Sequence, residues 1–232
     1  MKKTFMLVKK FSLLALGSLL IAWCFFVYQD SDKPVSSPAK AYRVVIDAGH
    51  GGIDQGASGV ITGVSESEIN LAIAKHLSKR FSENGFEVVM TRSTSAGLYG
   101  NLSSGFKNRD MQKRAEIIAS AYPTVVISIH QNTFSQSSRR GAQVFYKRGD
   151  GEGEMLSKSI QARLNGIKSA GRKCFVLSGD FFIINVSPCP AVIVECGFLS
   201  NEQDEKLLLS EQYQVEVADA IYFGTVDFLS VS

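Results

Sequence analysis

Three short apolar runs in this chain each end in a residue that does chemistry. Val44-Val45-Ile46-Asp47-Ala48-Gly49 runs into His50, Val125-Val126-Ile127-Ser128-Ile129 into His130, and Ala191-Val192-Ile193-Val194 into Glu195. A four- or five-residue apolar run that stops at a polar or glycine-rich turn reads as a buried strand. Between the runs lie stretches with helical spacing. Strand and helix in alternation point to a parallel or mixed α/β sheet, and such sheets place their sites at the carboxyl ends of the strands. Glycine on both sides of His50 lets the backbone turn sharply and lets a ligand come close.

The other elements follow in order. Tyr42–Asp47 is the first strand. Ser65 opens a helix, with Glu68 three residues on to complete a capping box, and Asn84-Gly85 ends it. Ile69, Ala72, Ile73 and Leu77 form its apolar stripe. Strands are expected at Phe86–Thr91, Thr124–Ile129, Ala142–Tyr146, Phe181–Ile184 and Ala191–Val194. Helices are expected at Asp110–Ser120, Gly153–Gly166, after Ser200 (capped with Gln203), and at Tyr213–Phe228. Ser93–Asn108 reads as a long loop. No internal repeat is present.

Charge excludes one class of partner. Lys2, Lys3, Lys9 and Lys10 are four of the 25 basic residues, which leaves 21 against 22 acidic residues in the rest of the chain. That balance gives no electrostatic case for nucleic acid. The lysines precede Phe11–Tyr28, 18 residues without a charge. Trp23 to Tyr28 is bulky and offers no small-residue cleavage site, so residues 1–28 read as an uncleaved membrane anchor, with a cleaved signal as the alternative. Either places the domain outside the cytoplasm. Residues 29–40, polar with two prolines, read as a linker, and 41–232 as one catalytic domain. Cys174, Cys189 and Cys196 read as small thiols with at most one disulfide among them.

Two imidazoles leaving one sheet edge suit Zn²⁺, with a carboxylate as third ligand and the fourth position left for water. Glu66 is the best candidate for that carboxylate, since it opens the helix after the glycine loop. An acid at a helix N-terminus is also favourable without a metal. His76 lies ten residues beyond Glu66 on the same helix, about 15 Å along its axis, and reads as a packed, hydrogen-bonded residue. Glu195 ends an apolar strand, where a carboxylate is costly unless used. It would serve as general base to a metal-activated water, or it would cap the helix at Ser200 or pair with Arg92.

Five motifs occur in order: Asp47-Ala48-Gly49-His50-Gly51-Gly52, Glu66 within Gly63–Leu71, Thr91-Arg92, Ser128-Ile129-His130-Gln131-Asn132, and Glu195-Cys196-Gly197-Phe198-Leu199-Ser200-Asn201. Together they resemble the zinc-dependent N-acetylmuramoyl-L-alanine amidases of bacterial cell walls, over roughly Tyr42 to Phe228. The resemblance implies an open, mostly parallel α/β sheet of about six strands flanked by helices. It implies one Zn²⁺ on His50, Glu66 and His130, with Glu195 catalytic and Asn132 and Arg92 as substrate contacts. The segment Asn108–Arg114 and the lack of wall-binding repeats look most like the germination-specific branch of spore formers. That branch acts on cortex peptidoglycan, on the way to muramic-δ-lactam. The resemblance thus implies peptidoglycan stem peptides as substrate, action in the space around the forespore, and room for a regulatory protein partner, because a ligand set closed by a glycine loop is weak unless something orders it. Two departures stand out: Asn185 where many relatives carry a basic residue, and Gln131 and Thr133 around Asn132 where alanines are usual. The rival readings are a general autolysin, a zinc carboxypeptidase or deacetylase on the same polymer, and a silent wall- or partner-binding module.

Overall fold

The computed structural model describes residues 42–101, 104–170 and 172–231. The anchor and linker expected before residue 41 lie outside the described residues. The chain order is β1 (Arg43–Ala48), α1 (Glu66–Glu83), β2 (Glu87–Met90), α2 (Phe106–Ala121), β3 (Val125–Asn132), β4 (Gln143–Lys147), α3 (Gly151–Leu164), β5 (Leu177–Gly179), α4 (Phe182–Val186), β6 (Ala191–Phe198), α5 (Glu202–Leu208) and α6 (Glu211–Leu229). Among the described residues no helix is long and apolar enough to cross a membrane.

Six strands form one sheet in the order β2-β1-β3-β6-β4-β5. β2, β1, β3 and β6 run parallel, while β4 joins β6 antiparallel and β5 lies parallel to β4. The two faces follow from the period of two along each strand. Val44, Ile46, Ile127, Ile129, Val192 and Val194 face the larger core beneath α1, α3 and α6. Val45, Val126 and Ile193 face the smaller one with Ile118 of α2 and Ile183 and Ile184 of α4. From β1 the chain moves outward to β2 and then returns to β3 on the other side. The carboxyl ends of β1 and β3 therefore border a crevice of the kind in which open α/β sheets bind ligands.

Several elements differ from the sequence expectation. Phe181–Ile184 is not a strand. It enters the short helix α4, where the amide of Asn185 donates to the carbonyl of Phe181 at 3.0 Å. The sheet edge beside β4 is already taken by β5, and an apolar run this short carries no period that separates strand from helix. α2 begins four residues early, at Phe106, because Phe106 packs edge-on against Tyr99 and Arg109 donates to the carbonyls of Tyr99 and Asn101. Ser65 stands at the α1 N-cap but its hydroxyl caps nothing. The donors of the first turn go instead to the preceding loop, Glu66 N to Ala57 O at 2.8 Å and Ser67 N to Gln55 O at 3.1 Å. Cys174, Cys189 and Cys196 are all free thiols.

The cap of α5 is Asn201 rather than Ser200: its Oδ1 accepts from Gln203 N at 3.1 Å and Asp204 N at 3.0 Å. Asn201→Ala is expected to cost about 1 kcal/mol of stability. Urea denaturation measures it, and an unchanged midpoint would assign the cap elsewhere.

Candidate metal centre and active site

Building the site starts at the glycine loop. β1 delivers its chain to Gly49, where a Cβ would lie 2.3 Å from the His130 ring, so only glycine lets the two histidines approach. His50 follows with φ 61°, a left-handed conformation that costs a non-glycine residue of order 1 kcal/mol or more and recurs at functional sites. The loop then doubles back over α1. At Gly56 a Cβ would stand 2.5 Å from Glu66 Oε2 and 2.7 Å from His50 Cδ2, again inside the site.

Three expected ligands converge. Nitrogen or oxygen atoms of His50, Glu66 and His130 all lie within 4.8 Å of one another. Glu66 Oε1 is 3.3 Å from His50 Nε2 and 2.9 Å from His130 Nδ1, and the two rings meet edge-on with centroids 5.0 Å apart. Glu66 is buried, and its remaining acceptor capacity is filled by the amides of Ala57 at 2.8 Å and Gln131 at 3.1 Å. Burial alone would raise the Glu66 carboxyl, but the two histidines hold it far below the usual carboxylate range. Burial disfavours protonated His50, yet Glu66 and Asp54 outweigh it and raise the imidazole to about 8. A pocket that concentrates this much affinity for positive charge on one carboxylate and two imidazoles fits a divalent cation.

Glu195 sits beside that cluster without joining it. In the parallel pairing of β3 with β6, His130 and Glu195 are register partners, so their side chains leave the same face of adjacent strands. Glu195 Oε2 is buried and accepts no hydrogen bond from the described residues. Burial pushes its carboxyl up to about 7, with Glu66 adding and the two histidines opposing. An unsatisfied carboxylate oxygen titrating near neutrality, one strand from a ligand set, is what a general base needs.

The remaining sequence expectations sort cleanly. Asn132 ends β3 half-buried, and its side-chain amide meets no partner among the described residues, which leaves it available at the site. Arg92 serves the loop. It is buried, and its guanidinium donates to the carbonyls of Ala48, Gly49, Ser67 and Thr94 at 2.8–3.0 Å, so it clamps the His50 loop and forms no ion pair with Glu195 among the described residues. His76 is half-buried and far from the cluster. It makes no hydrogen bond among the described residues, contrary to expectation. Gln131, unusual for its position, is built into the site: its Nε2 donates to Asn70 Oδ1 at 3.1 Å, and Asn70 in turn donates to Gly49 O and Glu66 Oε1. Asn185 is tied to Asp180 at 2.5 Å.

Sequence reasoning missed the residues that hold the ligands. Asp54 Oδ2 lies 3.0 Å from His50 Nδ1, and Lys107 lies 3.2 Å from the other Asp54 oxygen. A carboxylate on the outer nitrogen fixes the ring and leaves Nε2 for the cluster. The signal was present, an acid four residues after His50 in the same loop. Arg114 was missed as well. It lies on the apolar stripe of Met111, Ile118 and Ala121, where only a buried partner would tolerate it. Its partners are Asp47, at 2.6 Å and itself held by Thr91 and Ser128 hydroxyls at 2.6 Å each, and Asp110, one turn earlier on α2, also at 2.6 Å. Arg114 also donates to Ala48 O at 2.8 Å and to the carbonyl of His50 at 2.6 Å.

With this geometry in place, comparison with known proteins decides the family. Residues 44–226 match the sequence profile described as N-acetylmuramoyl-L-alanine amidase. The chain belongs to the N-acetylmuramoyl-L-alanine amidase family. The amidase is 32% identical over 222 residues to the germination-specific N-acetylmuramoyl-L-alanine amidase of Bacillus subtilis (strain 168), covering 93% of this chain and 92% of that one. Among solved structures it resembles the CwlD amidase from Clostridioides difficile in complex with the GerS lipoprotein, at TM-score 0.79 and 37% identity, over 82% of this chain and all of that one. It also resembles the N-acetylmuramoyl-L-alanine amidase from Clostridium difficile 630, at TM-score 0.73 and 27% identity, over 82% of this chain and 97% of that one.

The Asp47–Arg114 pair gives the amidase a testable acid dependence. Burial opposes ionisation of Asp47, but Arg114, Ser128 and Thr91 lower it from 3.8 to about 2. The stability so gained is complete above the unfolded value near 4 and is lost as pH falls through about 2. Wild type should lose about 2 kcal/mol across that window in urea denaturation. Asp47→Asn should start about 2 kcal/mol lower at pH 7, because Arg114 keeps Asp110 but loses its more deeply buried carboxylate, and should lack that acid slope. Parallel acid curves for the two proteins would contradict the pairing.

Proposed function

We propose that the amidase is a zinc enzyme that cleaves the bond between the lactyl group of N-acetylmuramic acid and L-alanine in spore-cortex peptidoglycan, removing stem peptides on the way to muramic-δ-lactam. The observation that carries this reading is the convergence of His50, Glu66 and His130 beside the unsatisfied Glu195 oxygen. His50, Glu66 and His130 would hold the ion, with Asp54 and Asn70 orienting the first two. Bound there, zinc supplies a Lewis acid for the scissile carbonyl and lowers the pKa of water towards ~7.

The chain's own residues do the rest. Glu195 takes a proton from the attacking water as the new carbon–oxygen bond forms. It then delivers that proton to the alanine nitrogen as the carbon–nitrogen bond breaks. Water is consumed, and a lactyl carboxylate and a free α-amine are released. Asn132 stands at the strand end to hold the muramoyl or peptide amide. The cortex target is supported by the similarity to the germination-specific amidase of Bacillus subtilis, and with it goes action outside the cytoplasm. A regulatory protein partner belongs to the same reading, since the similar CwlD amidase was solved in complex with a lipoprotein.

Two variants separate the carboxylates. Glu66→Ala should lose zinc and activity together, as should His50→Ala and His130→Ala. Glu195→Gln should keep near-stoichiometric zinc while turnover falls about 10²–10⁴-fold. Metal content and muropeptide cleavage are measured on the same folded preparations, and a metal-free Glu195→Gln would overturn the assignment. Deleting the gene in a spore-forming host should leave cortex without muramic-δ-lactam. Normal lactam together with a cell-separation defect would point to a general autolysin.

A further inference from the structure

We propose that a basic groove one strand away from Glu195 binds carboxylates on the leaving-peptide side of the scissile amide, and so selects acidic stem peptides. This rests on the amidase reading above and adds a substrate preference to it. The groove, about 250 Å³, is walled by the segment Arg139–Arg140, by Gln143 of β4, and by Arg172 to Phe175. The sheet fixes its position relative to the site. Gln143 is the antiparallel register partner of Glu195, and its Nε2 reaches the carbonyl of Phe175 at 2.9 Å. Neighbouring strands lie about 4.8 Å apart, so the groove opens directly beside the carboxylate that would deliver its proton to the leaving amine.

Four cations line this groove. Arg140 is already neutralised by Asp204, at 3.3 Å, and is tied to the carbonyl of Ala170. Arg139, Arg172 and Lys173 meet no carboxylate within ion-pair distance among the described residues. Arg139 and the backbone beside Arg172 and Lys173 are nonetheless anchored. The Arg139 guanidinium lies over the Phe134 ring, 5.0 Å from its centroid, two residues past Asn132. The strand-like segment carrying Arg172 and Lys173 is anchored where Asn165 exchanges two hydrogen bonds with the Cys174 backbone, both 2.9 Å. Arg139 and Arg172, from segments far apart in sequence, both act electrostatically on the Cys174 thiol in the groove wall.

Three uncompensated cations in a concave site raise the local concentration of anions. Guanidinium groups in particular take carboxylates in paired hydrogen bonds. The muramoyl side of the amide is an uncharged sugar ether. The peptide side carries the carboxylates, and on this proposal it is the side that runs from Glu195 past Gln143 into the groove.

The test uses the full chain loaded with zinc and two soluble substrates, a muramoyl tripeptide with free carboxylates and the same compound with them amidated. Wild type should favour the acidic substrate by about tenfold or more in kcat/KM, carried mainly by KM, and the preference should shrink as salt screens it. In Arg172→Gln/Lys173→Gln, with an unaltered melting curve, the ratio should fall towards unity. Arg139→Gln tests the opposite wall if the double variant fails to fold. Equal cleavage of both substrates by wild type, or a preference that survives the substitutions, overturns the groove and leaves the amidase assignment standing. If wild type cleaves neither substrate, binding of the acidic tripeptide is followed by nuclear magnetic resonance. Binding lost in the double variant keeps the groove while the reaction falls. Binding matched by inorganic phosphate overturns the groove as a peptide site.

Discussion

The structure depends on a buried ion pair, Asp47 with Arg114, to which Asp110 adds a second carboxylate at 2.6 Å from the same guanidinium. Asp47, the last side chain but one of β1, and Arg114, in the middle of α2, are both almost wholly removed from water. A pair of this kind adds little net stability, but removing Arg114 would leave Asp47 as a buried charge with no cation, at a cost of several kcal/mol. Its value here is positional. The same guanidinium donates to the carbonyls of Ala48 and His50, and Arg92 adds Ala48, Gly49 and Ser67. Two arginines therefore hold the backbone of the loop whose strained residue, His50, must present its ring.

What the pair holds, the topology aims. β1 and β3 are neighbours whose chains depart on opposite sides, so their carboxyl ends border an open crevice. His50 leaves one and His130 the other. The loop after β1 caps α1 with its own carbonyls, and this returns Glu66 to within reach of both rings. β6 then lies beside β3 in a register that sets Glu195 opposite His130. Four chemical groups separated by up to 145 residues meet because three parallel strands end at one edge.

Much of this was legible in the sequence, for a physical reason. An acid or histidine at the end of an apolar strand is expensive unless used, so His50, His130 and Glu195 declare themselves, and the glycines around His50 mark a close approach. The alternating strand and helix patterns gave the α/β class. What stayed hidden was non-local. The Phe181–Ile184 run became a helix because β5 already occupied the edge, a fact of pairing that no local pattern carries. Ser65 and Ser200 had cap-like spacing, yet loop carbonyls and Asn201 did the capping. The clamp made by Arg92 was not visible, because its partners are main-chain carbonyls that the sequence does not display. Arg114 and Asp47 carried a signal, a lone charge in each of two apolar stripes, that becomes readable only when the two are paired.

The central claim is that one metal ion sits among His50, Glu66 and His130 with Glu195 adjacent and outside its coordination. Anomalous X-ray scattering at the zinc edge, from crystals grown with equimolar zinc, tests it directly. A single peak within bonding distance of those three side chains, with the Glu195 oxygen facing it across a solvent-sized gap, is the predicted result. A peak elsewhere, or one bonded to Glu195, would contradict it.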